Sequence, residues 1–456
     1  MRRHACSVQK AALAILLLTH ALAGTAQDAL SVGGSNPDMS NAPRVEVDRD
    51  KPFYMLIQRD KRIHGLPPFQ DLVDKTPPGG VLVAPPGQYA GPVTVTRPIT
   101  IDGQGKVSID AGDKGTVFVL KADDSVMRGL HLTGSGDSHD TDDSCLDVRG
   151  HRNLLENLQI DNCLFGIDLK QTDDTVVRHN VIRSKPLDLG VRGDGLRLWY
   201  SHRNLIEDNE ILDSRDTVAW YSHDNIFRGN IGRRSRYSIH FMFANNNIVE
   251  GNEFYGNAVG VYFMYTEGGV ARNNIISHAN GATGMGIGFK EASGTLIEGN
   301  EIIYCGIGIG SDLSPFQPDT TIEIHRNRFA YNGIGILFNS ETGGNNLTNN
   351  IFEGNLAQIS YGGRGDGARS NYWRNNYWDD YQGFDRNGDG IGDQPYELMA
   401  FADQIWMEIP AAGFFRSSPA LELIDFLERL APFSLPDTIL IDENPLFAKP
   451  DLKTKR

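Results

Sequence analysis

Three groups of residues in this 456-residue chain combine side-chain type and spacing in a way that permits chemistry. Asp147, Asp168 and Arg197 occupy one position of three similar segments, Cys145-Leu-Asp-Val148, Gly166-Ile-Asp-Leu169 and Gly195-Leu-Arg-Leu198. If the segments stack, the two carboxylates stand about 5 Å apart, a separation used by retaining glycosidases. That arrangement would suit a secreted lyase, epimerase or hydrolase of uronate polysaccharides. Arg149 and Lys170 lie beside the same acids, and an ion-pair network can imitate a catalytic site. A second group is Met242 and Met264, with His240 and Tyr262 each two residues before a methionine. Thioether sulfur is a soft ligand for Cu(I), and imidazole also binds copper. The same patch, with Trp199 and Tyr221 above it, equally suits docking of a partner.

The third group is Asp385, Asn387, Asp389, Ile391 and Asp393 in the run Asp385-Arg-Asn-Gly-Asp-Gly-Ile-Gly-Asp393. Oxygen ligands at alternate positions, a glycine turn and the carbonyl of Ile391 suit calcium. Tyr396 stands where a complete EF-hand has glutamate, so a shorter, structural calcium loop is expected. Two polar insertions complete the candidates. One runs from Gly134 to Asp143 and carries Asp137, His139 and Asp140. The other runs from Lys185 to Asp194, carries Arg192 and Asp194, and leads to Trp199. Insertions in a repeat protein concentrate binding, so these are expected to meet partners.

What positions these groups is a repeat. Asparagine recurs at 180, 209, 230, 252, 274, 300, 327, 350 and 376, and the residue two further on is apolar every time except at Gly232. A drifting period of 21 to 29 residues with short strands implies a solenoid. Period-two alternation in the segments that follow puts Leu146, Ile167, Leu196, Val218, Ile239, Val261 and Ile287 in one inward column. Val148, Leu169, Leu198, Trp220, Phe241, Phe263 and Phe289 form a second. The outward columns then read Asp147, Asp168, Arg197, Ala219, His240, Tyr262 and Arg149, Lys170, Trp199, Tyr221, Met242, Met264, Lys290. The expected fold is all-β, a right-handed parallel β-helix with short helical caps. The asparagines sit at corners, tolerate unusual backbone angles and bond to the next rung's equivalent.

The domain boundaries follow. Residues 1–26 read as a signal peptide: Arg2 and Arg3, an apolar stretch from Ala11 to Leu18, then small residues. Two adjacent arginines admit twin-arginine export, although general secretion fits better. Residues 27–80 form an N-terminal segment and cap, with a helix near Pro67 to Lys75. The β-helix spans 81–400. Residues 401–456 supply a C-terminal helix, Ser418 to Leu430, and a tail. After the signal, Cys145, Cys163 and Cys305 remain. Cys163 and Cys305 share a column several rungs apart, beyond disulfide reach, and Cys145 lies in another, so three unpaired buried thiols are expected. With 43 Lys and Arg against 58 Asp and Glu, the formal net charge is −15, which disfavours nucleic acid as a partner.

Several stretches together carry a specific resemblance: Gly136-Asp-Ser-His-Asp140, the run from Lys185 to Trp199, Tyr237-Ser-Ile-His-Phe-Met-Phe243, Asn257 to Tyr265, and the run from Asn376 to Asp393. In this ordered set the chain resembles the NosD family, periplasmic accessory proteins of nitrous oxide reductase maturation. The resemblance implies a non-enzymatic role in assembling the copper–sulfur site of that reductase. It implies as partners an ABC transporter membrane subunit, a copper chaperone lipoprotein and the apo reductase. It also implies a periplasmic location, at the inner membrane through the transporter. Met242, Met264 and His240 then become candidates for transient copper passage or docking.

Overall fold

The computed structural model describes residues 63–281, 284–340, 343–361, 368–400 and 437–451. Within them the chain builds coils of three short strands, each burying one row of side chains and hydrating the other. In one representative coil the strands are Ile248–Glu250, Glu253–Tyr255 and Val259–Met264, and they bury Val249, Phe254, Val261 and Phe263. The first and second strands of successive coils join a 24-stranded sheet, and the third strands form a 12-stranded sheet. Pairing inside each is parallel and in register from coil to coil, for example Ile239 with Val261 and Val261 with Ile287. The result is the parallel β-solenoid expected from the repeat. Like residues stack in its core: the rings of Phe241, Phe263 and Phe289 succeed one another at 5.2 and 5.7 Å.

The asparagines form a continuous ladder. Each side-chain amide donates to the side-chain oxygen of the next, from Asn180 to Asn209 at 2.9 Å through to Asn350 and Asn376 at 3.0 Å. The left-handed backbone falls on the residue before each asparagine rather than on the asparagine itself, as at His179 (φ 53°) and Asp208 (φ 52°). The ladder ends on a carboxylate. Asp442 accepts from the backbone N–H and the amide of Asn376, both at 3.0 Å, and from the Trp378 indole at 3.3 Å. Asp442 closes the strand Asp437–Asp442, which pairs antiparallel with Tyr396–Ala400. At the other end a short helix, Gln70–Lys75, seats Phe69 and Val73 in the core.

Two expectations are corrected. Cys145 and Cys163 form a disulfide, with Cα atoms 5.5 Å apart, and only Cys305 is a free thiol among the described residues. Column counting compares residues along the stack and misses pairs that meet across a corner. Strand Gln159–Cys163 turns at Leu164 into Phe165–Lys170, which itself pairs with Ser144–Val148, so Cys163 arrives beside Cys145 of the preceding coil. The second correction concerns strand Asp216–Trp220, whose register shifts between Asp216 and Val218. Thr217 and Ala219 take the places next to Leu196 and Leu198, so the outward members are Val218 and Trp220 instead of Ala219 and Tyr221. The signal segment 1–26 and the helix expected from Ser418 to Leu430 lie outside the described residues. No described helix is long and apolar enough to cross a membrane.

Candidate functional site

The outer face of the 12-stranded sheet gathers most of the candidate residues, and it changes character along the stack. Its early end is ionic. Asp147 pairs in register with Asp168, and Asp168 with Arg197. The two aspartates are buried, at 4 and 0 % exposure. Arg149 holds Asp147 at 2.9 Å. The Lys170 ammonium lies within 3.0 to 3.4 Å of Asp142, Asp147 and Asp168, and Arg197 bridges Asp168 and Asp142. Burial alone would raise the pKa of Asp142, but Arg197 and Lys170 outweigh it and hold the carboxyl below its usual range. Three carboxylates thus face three cations, with Arg197 also lying 4.4 Å over the Phe165 ring.

The polar insertions dock on each other beside this network. The His139 Nε2 lies 3.1 Å from the Val191 carbonyl, and the His139 ring meets Phe165 edge-on at 5.5 Å. Lys185, buried, pairs with Asp137 and approaches Asp113 at 3.6 Å. Asp140 is exposed, whereas Arg192 folds back on the Leu187 carbonyl. Asp194 does not project from the coil as expected of a partner contact. It is 2 % exposed and bound to Arg215, because it ends the insertion just before the buried strand Leu196–Trp199. Burial and the neighbouring Asp216 raise its pKa to about 6.

Further along, from Trp199 to Met264, the two outward columns carry no ionised side chain beyond Arg197. One outward column runs Val218, His240, Tyr262, Gly288, Gly310 and the other runs Trp199, Trp220, Met242, Met264. Lys290 and Asp312 end the second column. Trp199 meets Trp220 edge-on at 5.0 Å. The residue after each member of that column takes a left-handed backbone and stacks: Tyr200 on Tyr221, Tyr221 on Phe243 and Phe243 on Tyr265, at 5.0, 5.2 and 4.8 Å. Bulky residues rarely adopt that backbone, so the stacking holds a strained edge in place.

His240 is the polar centre of this stretch. It lies between Tyr237 and Tyr262, at ring separations of 4.8 and 5.9 Å, and is 9 % exposed. Burial pushes its pKa down to about 4, so the imidazole is neutral at neutral pH. Its Nε2 has no hydrogen-bond partner among the described residues. A neutral imidazole with an unpaired nitrogen, on the outward face that also carries Met242 and Met264, belongs to the donor class a soft monovalent cation prefers, although Asp216, Arg236 and Arg215 also act on it electrostatically. Cys305 adds nothing to it, since burial raises that thiol to about 11.

The outward face of the first strands is charged and internally matched. On the first strands, Glu156, Arg178, Glu207, Arg228, Glu250, Arg272 and Glu298 alternate coil by coil, with Arg178–Glu156, Arg228–Glu207 and Arg272–Glu250 at 2.8, 2.6 and 2.6 Å. Each such surface pair is worth little in stability, but together they leave that face neutralised. Sequence reading missed this ladder. Its signal was an alternation of Arg and Glu two residues before successive ladder asparagines.

The acidic loop at 385–393 folds on itself. Asp385 accepts from the N–H groups of Gly388, Asp389 and Gly390, Asp389 from Ile391, and Asp393 from Arg386, while Asn387 donates to Asp389. Gly390 and Gly392 then bind the segment 445–447, which also bonds to Asn376, so the loop braces the last coil. No group of three His, Cys, Asp or Glu side chains among the described residues is arranged to hold a metal.

Comparison with known proteins bears on this face. The family model described as periplasmic copper-binding protein (NosD) matches residues 178–383. The "Probable ABC transporter binding protein NosD" of Stutzerimonas stutzeri is 25% identical over 408 residues, which covers 81% of this chain and 87% of that protein. Its counterpart in Pseudomonas aeruginosa is 26% identical over 402 residues, 80% of this chain and 87% of that one. Among solved structures, the A-module of the Azotobacter vinelandii mannuronan C-5 epimerase AlgE6 superposes with a TM-score of 0.51 at 16% identity, over 63% of this chain and 88% of its own. The N-terminal fragment of bacteriophage Phi29 gene product 12 gives 0.51 at 11%, over 64% and 65%. An epimerase and a phage protein sharing the coil demonstrate the fold and nothing of the chemistry.

Proposed function

We propose that this chain is a NosD-family accessory protein of the periplasm, acting without catalysis in assembly of the copper–sulfur site of nitrous oxide reductase. On this reading its partners are an ABC transporter membrane subunit that holds it at the inner membrane, a copper chaperone lipoprotein and the apo reductase. Copper is cargo here. One observation carries the reading: the segment matched by the copper-binding family, 178–383, contains the whole uncharged Trp/Met/His stretch and excludes Asp147 and Asp168. His240, Met242 and Met264 are the proposed contacts for copper in transit, and Trp199 and Trp220 the apolar rim against which a carrier docks. The insertions carrying Asp137, His139, Asp140 and Arg192 adjoin that rim and are proposed as partner contacts.

The competing reading, a uronate lyase, epimerase or hydrolase using Asp147, Asp168 and Arg197, fits less well. A general acid or nucleophile must be free to change its proton or bond partners, and these carboxylates are engaged by Arg149, Lys170 and Arg197. Calcium at 385–393 rests on the residue pattern alone, and melting with and without a chelator tests it. The test of the main proposal is genetic and analytical. A strain lacking this protein should make a reductase deficient in copper, and resupplying the wild-type chain should restore it. A normal copper content in the deletion strain, with no second copy of the gene, would refute the role.

A further inference from the structure

The corner after the third strand carries a column of hydrogen-bond acceptors separate from the asparagine ladder: Asp123, His151, Asp173, His202, His223 and Asn245. Each accepts the backbone N–H of the next member, one coil on. Asp123 accepts from His151 at 2.9 Å, His151 from Asp173 at 3.1 Å and Asp173 from His202 at 2.8 Å. His202 accepts from His223 at 3.0 Å, His223 from Asn245 at 2.9 Å, and Asn245 from Glu267 at 3.0 Å. The residue after each member takes a left-handed backbone, with φ from 50° at Asp124 to 60° at Asp224. The chain bends there, and a side chain rather than a strand satisfies the N–H before the bend.

Ionised carboxylates and amide oxygens only accept. An imidazole accepts only through a bare nitrogen, and a backbone N–H cannot reverse its role. In the closed corner, His151, His202 and His223 therefore carry their proton on Nε2 and accept at Nδ1. Imidazolium has an N–H at both positions. A proton on Nδ1 would set N–H against N–H, so it enters only as the corner bond breaks. The His202 and His223 rings stack at 5.2 Å and 7°, so charge on one also opposes charge on the other.

The charged surroundings are matched. Asp123 and Asp173 flank His151 along the column, and Arg152 holds Asp123 and Asp124. Arg203 holds Asp173 and Asp174 beside His202. Asp224 follows His223, and Glu267 lies beyond Asn245. Arg152 and Arg203 keep Asp124 and Asp174 below the usual carboxyl range, so those acids stay ionised while an imidazole titrates. Burial, and after it His202, lower the pKa of His223 against the pull of Asp224.

We propose that this corner is an acid-sensitive latch, closed by the bare Nδ1 atoms of His151, His202 and His223 and opened when those nitrogens are protonated. His202 and His223 stand two residues after Tyr200 and Tyr221, whose stacked rings border the Trp/Met face. Acid therefore loosens that edge, while the asparagine ladder, whose amides do not titrate, holds the rest of each coil. The latch follows from the fold and does not rest on the proposed role in copper handling.

Two measurements on the full mature chain test it. Nitrogen NMR of histidine-labelled protein at neutral pH should show all three residues as Nε2–H tautomers, assigned by the signals lost in His151→Asn, His202→Asn and His223→Asn. An Nδ1–H tautomer at any of them would overturn the latch. Hydrogen exchange by mass spectrometry gives the second reading. As pH falls from about 7 to about 5, exchange at the amides of His223 and Asn245, corrected for the intrinsic rate, should rise about tenfold relative to those of Asn230 and Asn252, the loss expected for one hydrogen bond. His202→Asn/His223→Asn keeps an acceptor, as Asn245 does, and removes the proton site, so it should abolish the rise. An equal rise in that variant, or none in the wild type, would contradict the latch.

Discussion

Met242 stands opposite Met264 as its register partner on the adjacent coil, with Trp220 opposite Met242 on the other side. The three side chains sit on a face bounded at one end by Arg197, Lys170 and their aspartates, and at the other by Lys290 and Asp312. That face presents thioethers and aromatic surface, while the alternating Glu–Arg ladder of the first strands is occupied with itself. The geometry therefore separates an aromatic and thioether stretch from the ion-paired first-strand face.

The end of the asparagine ladder makes a stability prediction. Besides the Asn444 backbone N–H, Asp442 takes three donors from the end of the ladder, two from Asn376 and one from Trp378, at 0 % exposure. Asp442→Ala should leave all three unpaired and cost about 3 kcal/mol or more, at 1–3 kcal/mol for each stranded donor discounted for relaxation. Urea unfolding measures it. An unchanged midpoint would mean that the C-terminal segment does not close the ladder in solution.

The disulfide predicts a redox dependence of stability. Cys145 and Cys163 are 18 residues apart in sequence, and closing a loop of that size removes about 3 kcal/mol of unfolded-state entropy. Cys145→Ala/Cys163→Ala should destabilise by that order, and wild-type protein prepared without residues 1–26 and without reductant should show a single reactive thiol after unfolding. Three reactive thiols would show the bond to be absent.

How far the sequence reveals this molecule depends on which residues are asked. The asparagine step fixed the coil, because an amide ladder and an apolar residue two positions later recur in one dimension. The one-residue offset between strands Asp216–Trp220 and Tyr237–Met242 was invisible, since one inserted residue shifts a whole strand without changing its composition. That shift moved Trp220 from the core to the face that matters. The Cys145–Cys163 bond escaped because it crosses a corner, a relation that alternation along a strand does not encode. The antiparallel pairing of Tyr396–Ala400 with Asp437–Asp442 escaped because the partners lie far apart in sequence and belong to no repeat.

Burial of His240 sets a pH dependence. Its pKa falls from 6.5 when exposed to about 4 in the fold, because desolvation disfavours the imidazolium more than Asp216 favours it. The unfolded chain then binds the extra proton between those two values. Stability contributed by the neutral ring is complete above about pH 6.5, declines by up to about 1.4 kcal/mol per pH unit through the window, and changes no further below about pH 4. His240→Phe should remove that component from a plot of stability against pH. An identical plot for the variant would show that the ring is solvated.

The neutralised early end of the face predicts inertness. Purified protein incubated with polymannuronate or polyguluronate should generate no unsaturated uronate, no new reducing ends and no change in the ratio of epimers by NMR. Turnover abolished by Asp147→Asn would reinstate the carbohydrate reading.

The most direct test is the copper content of nitrous oxide reductase purified from a strain whose only copy of this protein is the Met242→Ala/Met264→Ala variant. The methionines lie on the outer face and are partly exposed, so the variant should fold and accumulate normally, which its melting temperature and abundance verify. The account predicts a reductase lacking most of its copper–sulfur site. A full copper complement in that strain would contradict it.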